Sequence, residues 1–261
     1  MNILKPRPGS WLVMKIAGLA TPEARVVLGK ELRQALRSRG ALVTGLLAPI
    51  GFLLLAPAQL VFSARFAGPA AIFEAINLEL PLFTVISGLV VPSLVAVYIF
   101  VGERERRSLE LLLAAPVRVQ DIFAAKLAAA LLLSAGVSLP LYAIQAGVVL
   151  SQGIDDLRGV VLRLVLLMAA LACSLGYALL MALLARDFRT TNNLTGALVL
   201  PMIFLTLTLL QPSPVTLFGH TWTIPIAVAD RPILVAAIMV SVGVAAAAGA
   251  LRYMTFDRYL A

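Results

Sequence analysis

A charged segment between two apolar runs, residues 102–122, contains the residues whose types and spacing best suggest a function. Opposite charges stand four residues apart twice, and leucines recur at helical spacing, which is typical of an amphipathic helix. Pro116 ends this helix, and Gln120-Asp121 begins another. The sequence predicts a short helix and a sharp turn that either docks against a protein or anchors the loop. The charge pairs are Glu103 with Arg107 and Arg106 with Glu110, and the apolar face is Leu109, Leu112 and Leu113.

Residues suited to catalysis or metal binding are sparse. His220 is the single His and Cys173 the single Cys, so no metal site and no disulfide are predicted. The chain has no phosphate-binding loop, because Ala24 stands where that motif needs its first glycine before Gly29-Lys30. We therefore predict a non-catalytic chain with no catalytic residues and no cofactor of its own.

Composition indicates a membrane protein. Hydrophobic residues make up 61% of the 261 residues and charged residues only 13%, about half the charged fraction of an ordinary soluble domain. Six apolar runs are each long enough for a membrane-spanning helix. We predict an all-α integral membrane protein of one domain, residues 1–261, with six spans in 41–251. The runs are Ala41–Phe62, Leu80–Val101, Leu127–Leu150, Val160–Ala185, Leu194–Leu210 and Ile233–Leu251.

The distribution of Lys and Arg predicts the orientation. Of the 21 such residues, 17 lie on one side of the six runs and three on the other, and positively charged loops stay in the cytoplasm. We expect a multi-pass protein of the cell inner membrane with a cytoplasmic or interfacial segment 1–40 and a cytoplasmic tail 252–261. Anionic lipid accounts for the basic character, so no nucleic-acid partner is expected.

A helix is predicted before the first span. Thr21-Pro22-Glu23 provides an N-cap residue, a proline at the first helical position and a carboxylate in the first turn. An apolar stripe alternates with a basic face, which indicates a helix lying on the membrane surface or a solvated juxtamembrane helix. The stripe is Val26, Val27, Leu28, Leu32 and Leu36, and the basic residues are Arg25, Lys30, Arg33 and Arg37.

The segment before the sixth span, residues 211–232, is too apolar for a plain loop and too rich in proline for a full span. We predict short re-entrant helices in it, with Trp222 at the membrane interface. Arg163 lies just inside the fourth run, where its side chain either reaches the interface or contacts an anionic substrate. Other polar residues that could line a pathway are Tyr142, Gln145, Tyr177, Asn192 and Asn193.

The charged segment resembles the signature of permease subunits of ABC type-2 transporters. That signature has a Glu-rich stretch, Thr-Leu-Glu, paired leucines, a proline and a downstream lysine, and it is matched by residues 103–116 followed by Lys126. Ser108 stands where Thr is usual and keeps the hydroxyl, while Arg107 stands where Gly is frequent and implies a more regular helix. Further similarities are Lys30-Glu31-Leu32, Thr190-Thr191-Asn192-Asn193 before Pro201, and Phe256-Asp257-Arg258.

The resemblance implies that the loop between spans two and three holds a coupling helix that docks into a groove of a cytoplasmic ABC ATPase. ATP and Mg would be bound by that partner, and a second copy of the chain or a homologous permease would complete an exporter. Membrane lipids and a periplasmic protein are further candidate partners. The coupling residues it implies are Glu103, Glu105, Ser108, Leu109, Glu110, Leu112, Leu113, Pro116 and Asp121.

Three alternatives stay open at this stage. One is the haem-export permease of cytochrome c maturation, which has six spans and a similar loop. Another is a membrane receptor or assembly protein that does not transport, and the third is an intramembrane enzyme. The sequence does not identify the substrate.

Overall fold

The computed structural model describes residues 22–37, 49–55, 58, 68, 72, 74–105, 119–153, 155–184, 188–211, 215–217, 220–222 and 230–253. Within them the chain is predominantly helical. Two short π-helical segments, Ile50–Leu55 and Ala75–Glu79, precede the second span, and the latter runs directly into it. The α-helices are α1 (Pro22–Arg37), α2 (Leu80–Glu105), α3 (Val119–Ser151), α4 (Leu157–Leu184), α5 (Phe188–Leu210) and α6 (Arg231–Tyr253).

Five helices in the described part of the chain are long and apolar enough to cross a membrane. They correspond to the second to sixth predicted spans, so the prediction of a multi-pass helical membrane protein is confirmed. The first predicted span, Ala41–Phe62, is described only at 49–55 and 58, and the count of six spans stays a prediction. The five stretches are Ala75–Phe100, Ala124–Ser151, Leu157–Leu184, Arg189–Leu210 and Arg231–Ala250.

Helix α4 lies at the centre and packs against α2, α3, α5 and α6. Its closest neighbour is α6, because two glycines let the backbones meet: the Cα of Gly243 lies against Cys173 and Gly176. Small residues commonly allow such approach between membrane helices. A hydrogen bond also joins α4 to α2, since the hydroxyl of Ser174 donates to the carbonyl of Leu89 at 2.6 Å. The bundle is therefore built around α4.

The outward faces of the spans are apolar, as a lipid environment requires. Three threonine hydroxyls on the helices are satisfied locally: Thr84, Thr195 and Thr206 each donate to the carbonyl four residues earlier. Such bonds remove donors that hydrocarbon would leave without a partner. Large apolar side chains that are exposed include Leu132, Ile144, Val148, Val161, Val165, Leu200, Phe204, Val240 and Val244.

The segment before α6 departs from the prediction. Strands β1 (Val215–Leu217) and β2 (His220–Trp222) pair antiparallel, so re-entrant helices are the wrong prediction for these six residues. The physical reason lies in the local sequence, because Val, Thr and Trp favour strands. Two residues that include a glycine separate the strands, a length and composition typical of hairpins. The rest of 212–229 lies outside the described residues.

Candidate functional site

The structure describes both ends of the loop between spans two and three. Helix α2 ends at Glu105 and α3 begins at Val119, which confirms the predicted helix start near Gln120-Asp121. Residues 106–118 lie outside the described part, so their docking role stays a prediction. The coupling residues in that gap are Ser108, Leu109, Glu110, Leu112, Leu113 and Pro116.

Three of the proposed coupling residues are placed on the backbone. Glu103 and Glu105 belong to the last turn of α2, and Asp121 belongs to the first turn of α3. Helix α2 continues without a break to Glu105, so the first residues of the charged segment belong to the helix of the span. The short amphipathic helix predicted to end at Pro116 stays a prediction. Glu and Arg are good helix formers and no proline interrupts them, so the helix of the span extends past its apolar part.

A buried ion pair lies close to these helix ends. The Nζ atom of Lys126 on α3 is 3.4 Å from Oε1 of Glu31 on α1, and the two side chains are 0% and 3% exposed. The same Nζ donates a hydrogen bond of 3.0 Å to the carbonyl of Ile99 on α2. Lys126 and Ile99 each stand within about two helical turns of the loop. One ammonium group therefore joins α1, α2 and α3 beside the loop.

Apolar packing holds this ion pair in place. Val27 of α1 is buried with Ala125 of α3, and Leu28 packs against both. Leu28 and Leu32 also border a cluster that includes Phe100. The predicted helix is present at Pro22–Arg37 and contacts α3, while its position on the membrane surface stays a prediction. Among the stripe residues whose side chains the structure describes, Val26 is the exception, being 72% exposed. It lies about 100° around the helix from Val27 and about 200° from Leu28, and therefore on another face.

The opposite face of α1 is basic and exposed. Together with Tyr98 of α2 it borders a groove of about 890 Å³. The side chains of Arg25, Arg33 and Arg37 are exposed there, and no acidic residue lines the described groove. Clustered cations of this kind favour anionic lipid headgroups at a membrane surface.

At the other end of the bundle, Arg163 forms an ion pair with Asp155 in which both side chains are almost fully buried. Asp155 precedes the first residue of α4, so the guanidinium extends toward the loop end of the span. Contact of Arg163 with the membrane interface or with an anionic substrate stays a prediction. The hydroxyl of Tyr142 donates to the carbonyl of Val160 at 2.5 Å. These bonds fix the start of α4 against α3.

The remaining pathway candidates differ in exposure. Tyr142 and Gln145 are buried on α3, Tyr177 is half-buried on α4, and Asn193 is exposed on α5. The side chain of Asn192 lies outside the described part, and a pathway lined by these residues stays a prediction. Among the described residues, no group of three or more His, Cys, Asp or Glu side chains is placed to hold a metal ion.

Sequence reasoning named Glu31 and Lys126 only as motif residues and missed their contact. A signal was available, because Glu31 lies between Leu28 and Leu32 on the apolar stripe of α1. Lys126 likewise directly precedes a long apolar run. Charges at such positions are rarely buried unless they are paired.

The fold and these contacts define a multi-pass helical membrane protein. The chain belongs to the ABC-2 type transporter family, whose model matches residues 22–213. The comparison with curated proteins and that with solved structures each found no match. The protein is therefore an ABC transporter permease, a membrane subunit of a kind that is generally non-catalytic.

Proposed function

We propose that this chain is the transmembrane subunit of an ATP-driven exporter, in which two permease copies enclose a path and two cytoplasmic ATPase subunits bind below. The observation that carries the proposal is the Lys126–Glu31 pair, which ties α1 to the helices on both sides of the loop. The loop sequence, from Glu103 to Asp121, supplies charged and apolar side chains for docking. Family membership supports the ATPase partner and the dimer.

The mechanism follows from how force would pass through these contacts. Closure of the ATPase dimer displaces the loop that is docked on it. Because α2 and α3 are continuous helices from the loop into the membrane, displacement at Glu105 and Val119 tilts both spans. The ion pair makes α1 move with them, since a buried charge cannot leave its partner without a large desolvation cost. Access to the path thus switches with the state of the ATPase.

Labelling of single cysteines tests the orientation that this function requires. We expect a membrane-impermeant maleimide to modify Ala70→Cys and Gln152→Cys in intact cells but not Glu110→Cys or Thr190→Cys. The reason is the 17-to-3 distribution of Lys and Arg. The unmodified chain is the control, because its Cys173 is buried. If the maleimide modifies Glu110→Cys but not Gln152→Cys, the predicted orientation of the chain in the membrane is wrong.

Docking is tested by variants of the loop. A buried interfacial charge that loses its partner costs about 2–5 kcal/mol, so Glu110→Lys should weaken ATPase binding by roughly tenfold or more. Leu112→Asp should do the same by placing a charge in an apolar contact. The measurement is recovery of the co-expressed ATPase on affinity-tagged permease, together with ATP hydrolysis by the complex.

Two controls make the result specific to the loop. Glu74→Lys changes an exposed glutamate on the N-terminal side of α2 and should leave ATPase recovery unchanged. Each loop variant should also unfold at the wild-type temperature, which shows that lost ATPase recovery does not come from lost folding. If Glu103→Lys, Glu110→Lys and Leu112→Asp all keep full ATPase binding, the loop is only a membrane anchor.

A further inference from the structure

Helix α3 buries a glutamine to whose side chain no residue in the described part of the chain is hydrogen-bonded. Gln145 is 4% exposed, and neither its Oε1 nor its Nε2 atom is hydrogen-bonded. Buried polar groups in proteins are almost always paired, and a membrane offers no bulk water to replace a missing partner. Because no described residue supplies a partner, the amide is free to pair with a bound molecule.

A small cavity adjoins this amide. It has a volume of about 190 Å³, and Gln145 is its one polar lining residue in the described part of the chain. A trapped water needs two to four polar partners, so a cluster of waters would be poorly held here. A ligand with an apolar body and one hydrogen-bonding region fits the lining better. The other lining residues are Leu53, Leu54, Leu55, Ala58, Val148 and Val149.

The position of the cavity indicates what that ligand is. Gln145 stands less than two turns before Ser151, where α3 ends, which is about 9 Å along the axis. At that depth a spanning helix passes from the headgroup region into the hydrocarbon, the level of lipid ester groups. Two lining residues, Leu55 and Val148, are apolar and exposed, as a face in contact with lipid would be.

We propose that this cavity binds one glycerophospholipid of the surrounding membrane. Its acyl chain lies along Leu54 and Val148, and its ester carbonyl accepts a hydrogen bond from Nε2 of Gln145. Oε1 of the same amide accepts from a donor on the lipid headgroup. The site is independent of the proposed ATPase coupling, and it lies at the opposite end of α3 from Lys126.

A cavity-filling substitution tests the site. The probe is phosphatidylethanolamine added to the delipidated full chain in detergent, with bound lipid counted by native mass spectrometry. Val148→Trp should abolish the tightly retained lipid, because the indole occupies the cavity. Leu132→Trp is the matched control on the same helix, since Leu132 is exposed but does not line the cavity. Equal retention by both variants would overturn the proposal.

A second variant keeps the test valid if tryptophan disturbs the fold. Gln145→Leu removes the amide at similar size, so retention of phosphatidylethanolamine should weaken about tenfold. The lipid-free variant should unfold at a higher temperature than the lipid-free wild type, because a buried amide without a partner has been removed. A lower unfolding temperature would mean that the amide already has a partner and would contradict the site. A different result would overturn the lipid site: the wild type retains no lipid but self-associates, and Val148→Trp no longer self-associates. This face would then bind a second copy of the chain.

Discussion

Lys126→Met is expected to lower the free energy of unfolding by about 3–5 kcal/mol, the usual cost of removing one partner from a buried ion pair. The substitution leaves the carboxylate of Glu31 buried without its cation, and it removes the hydrogen bond to the carbonyl of Ile99. For a chain of this length the loss corresponds to roughly 6–20 °C in Tm. The measurement is thermal unfolding of the purified protein in detergent.

A double-mutant cycle distinguishes the contribution of the ion pair to stability from that of the surrounding apolar packing. Glu31→Gln combined with Lys126→Met removes both charges, and we expect the double variant to be more stable than Lys126→Met alone. Arg158→Met is the comparison, because Arg158 and Asp230 pair with side chains 64% and 43% exposed. Exposed pairs contribute little. If Lys126→Met unfolds no earlier than Arg158→Met, the pair does not tie α1 to α3.

The same cycle bears on transport. Because the ion pair is the proposed link that makes α1 follow α2 and α3, the double variant should fold but show altered coupling. We expect the rate of ATP hydrolysis by the ATPase to depend less on the bound permease than in the wild-type complex, while the loop still docks on the ATPase. Retained docking distinguishes this defect from that of the loop variants, which lose the ATPase itself.

Long apolar runs let the sequence predict most of the fold. The second to sixth spans and helix α1 were predictable because each pattern extends over many residues, so that local exceptions such as Val26 do not change it. The hairpin formed by Val215–Leu217 and His220–Trp222 was not predictable in this way. Its strands are three residues long, and four prolines in the surrounding segment suggested broken helices instead.

The candidate site was predictable only in part. The loop motif identified Glu103, Glu105 and Asp121, whose backbone positions the structure places at the ends of α2 and α3. The contacts of Lys126 with Glu31 and of Arg163 with Asp155 join residues far apart or on separate elements. A single sequence carries no distance information of that kind, so each charge was assessed alone. The pairing of Arg163 was therefore not predicted, since the two expectations were that it reaches the interface or contacts an anionic substrate.

Gly243→Ala is expected to disrupt the packing of α4 against α6. An added Cβ would lie 2.7 Å from the Cα of Cys173 and 2.8 Å from the carbonyl oxygen of Ala172. These are backbone atoms, which cannot rotate away as a side chain can, so the helices must separate. Overpacking of this kind costs about 1–3 kcal/mol, or roughly 2–12 °C in Tm, and Gly243→Leu should cost more.

A partner substitution and a control identify the cause. Gly176→Ala should destabilise the protein similarly, because its Cβ would meet the backbone of Gly243. The double variant should lose less stability than the sum of the two single losses, since helices already separated by one methyl group accommodate the second. Gly136→Ala is the control: a Cβ there meets no atom within 4 Å, and alanine is the better helix former. If Gly136→Ala and Gly243→Ala unfold at the same temperature, close approach of α4 and α6 does not stabilise this fold.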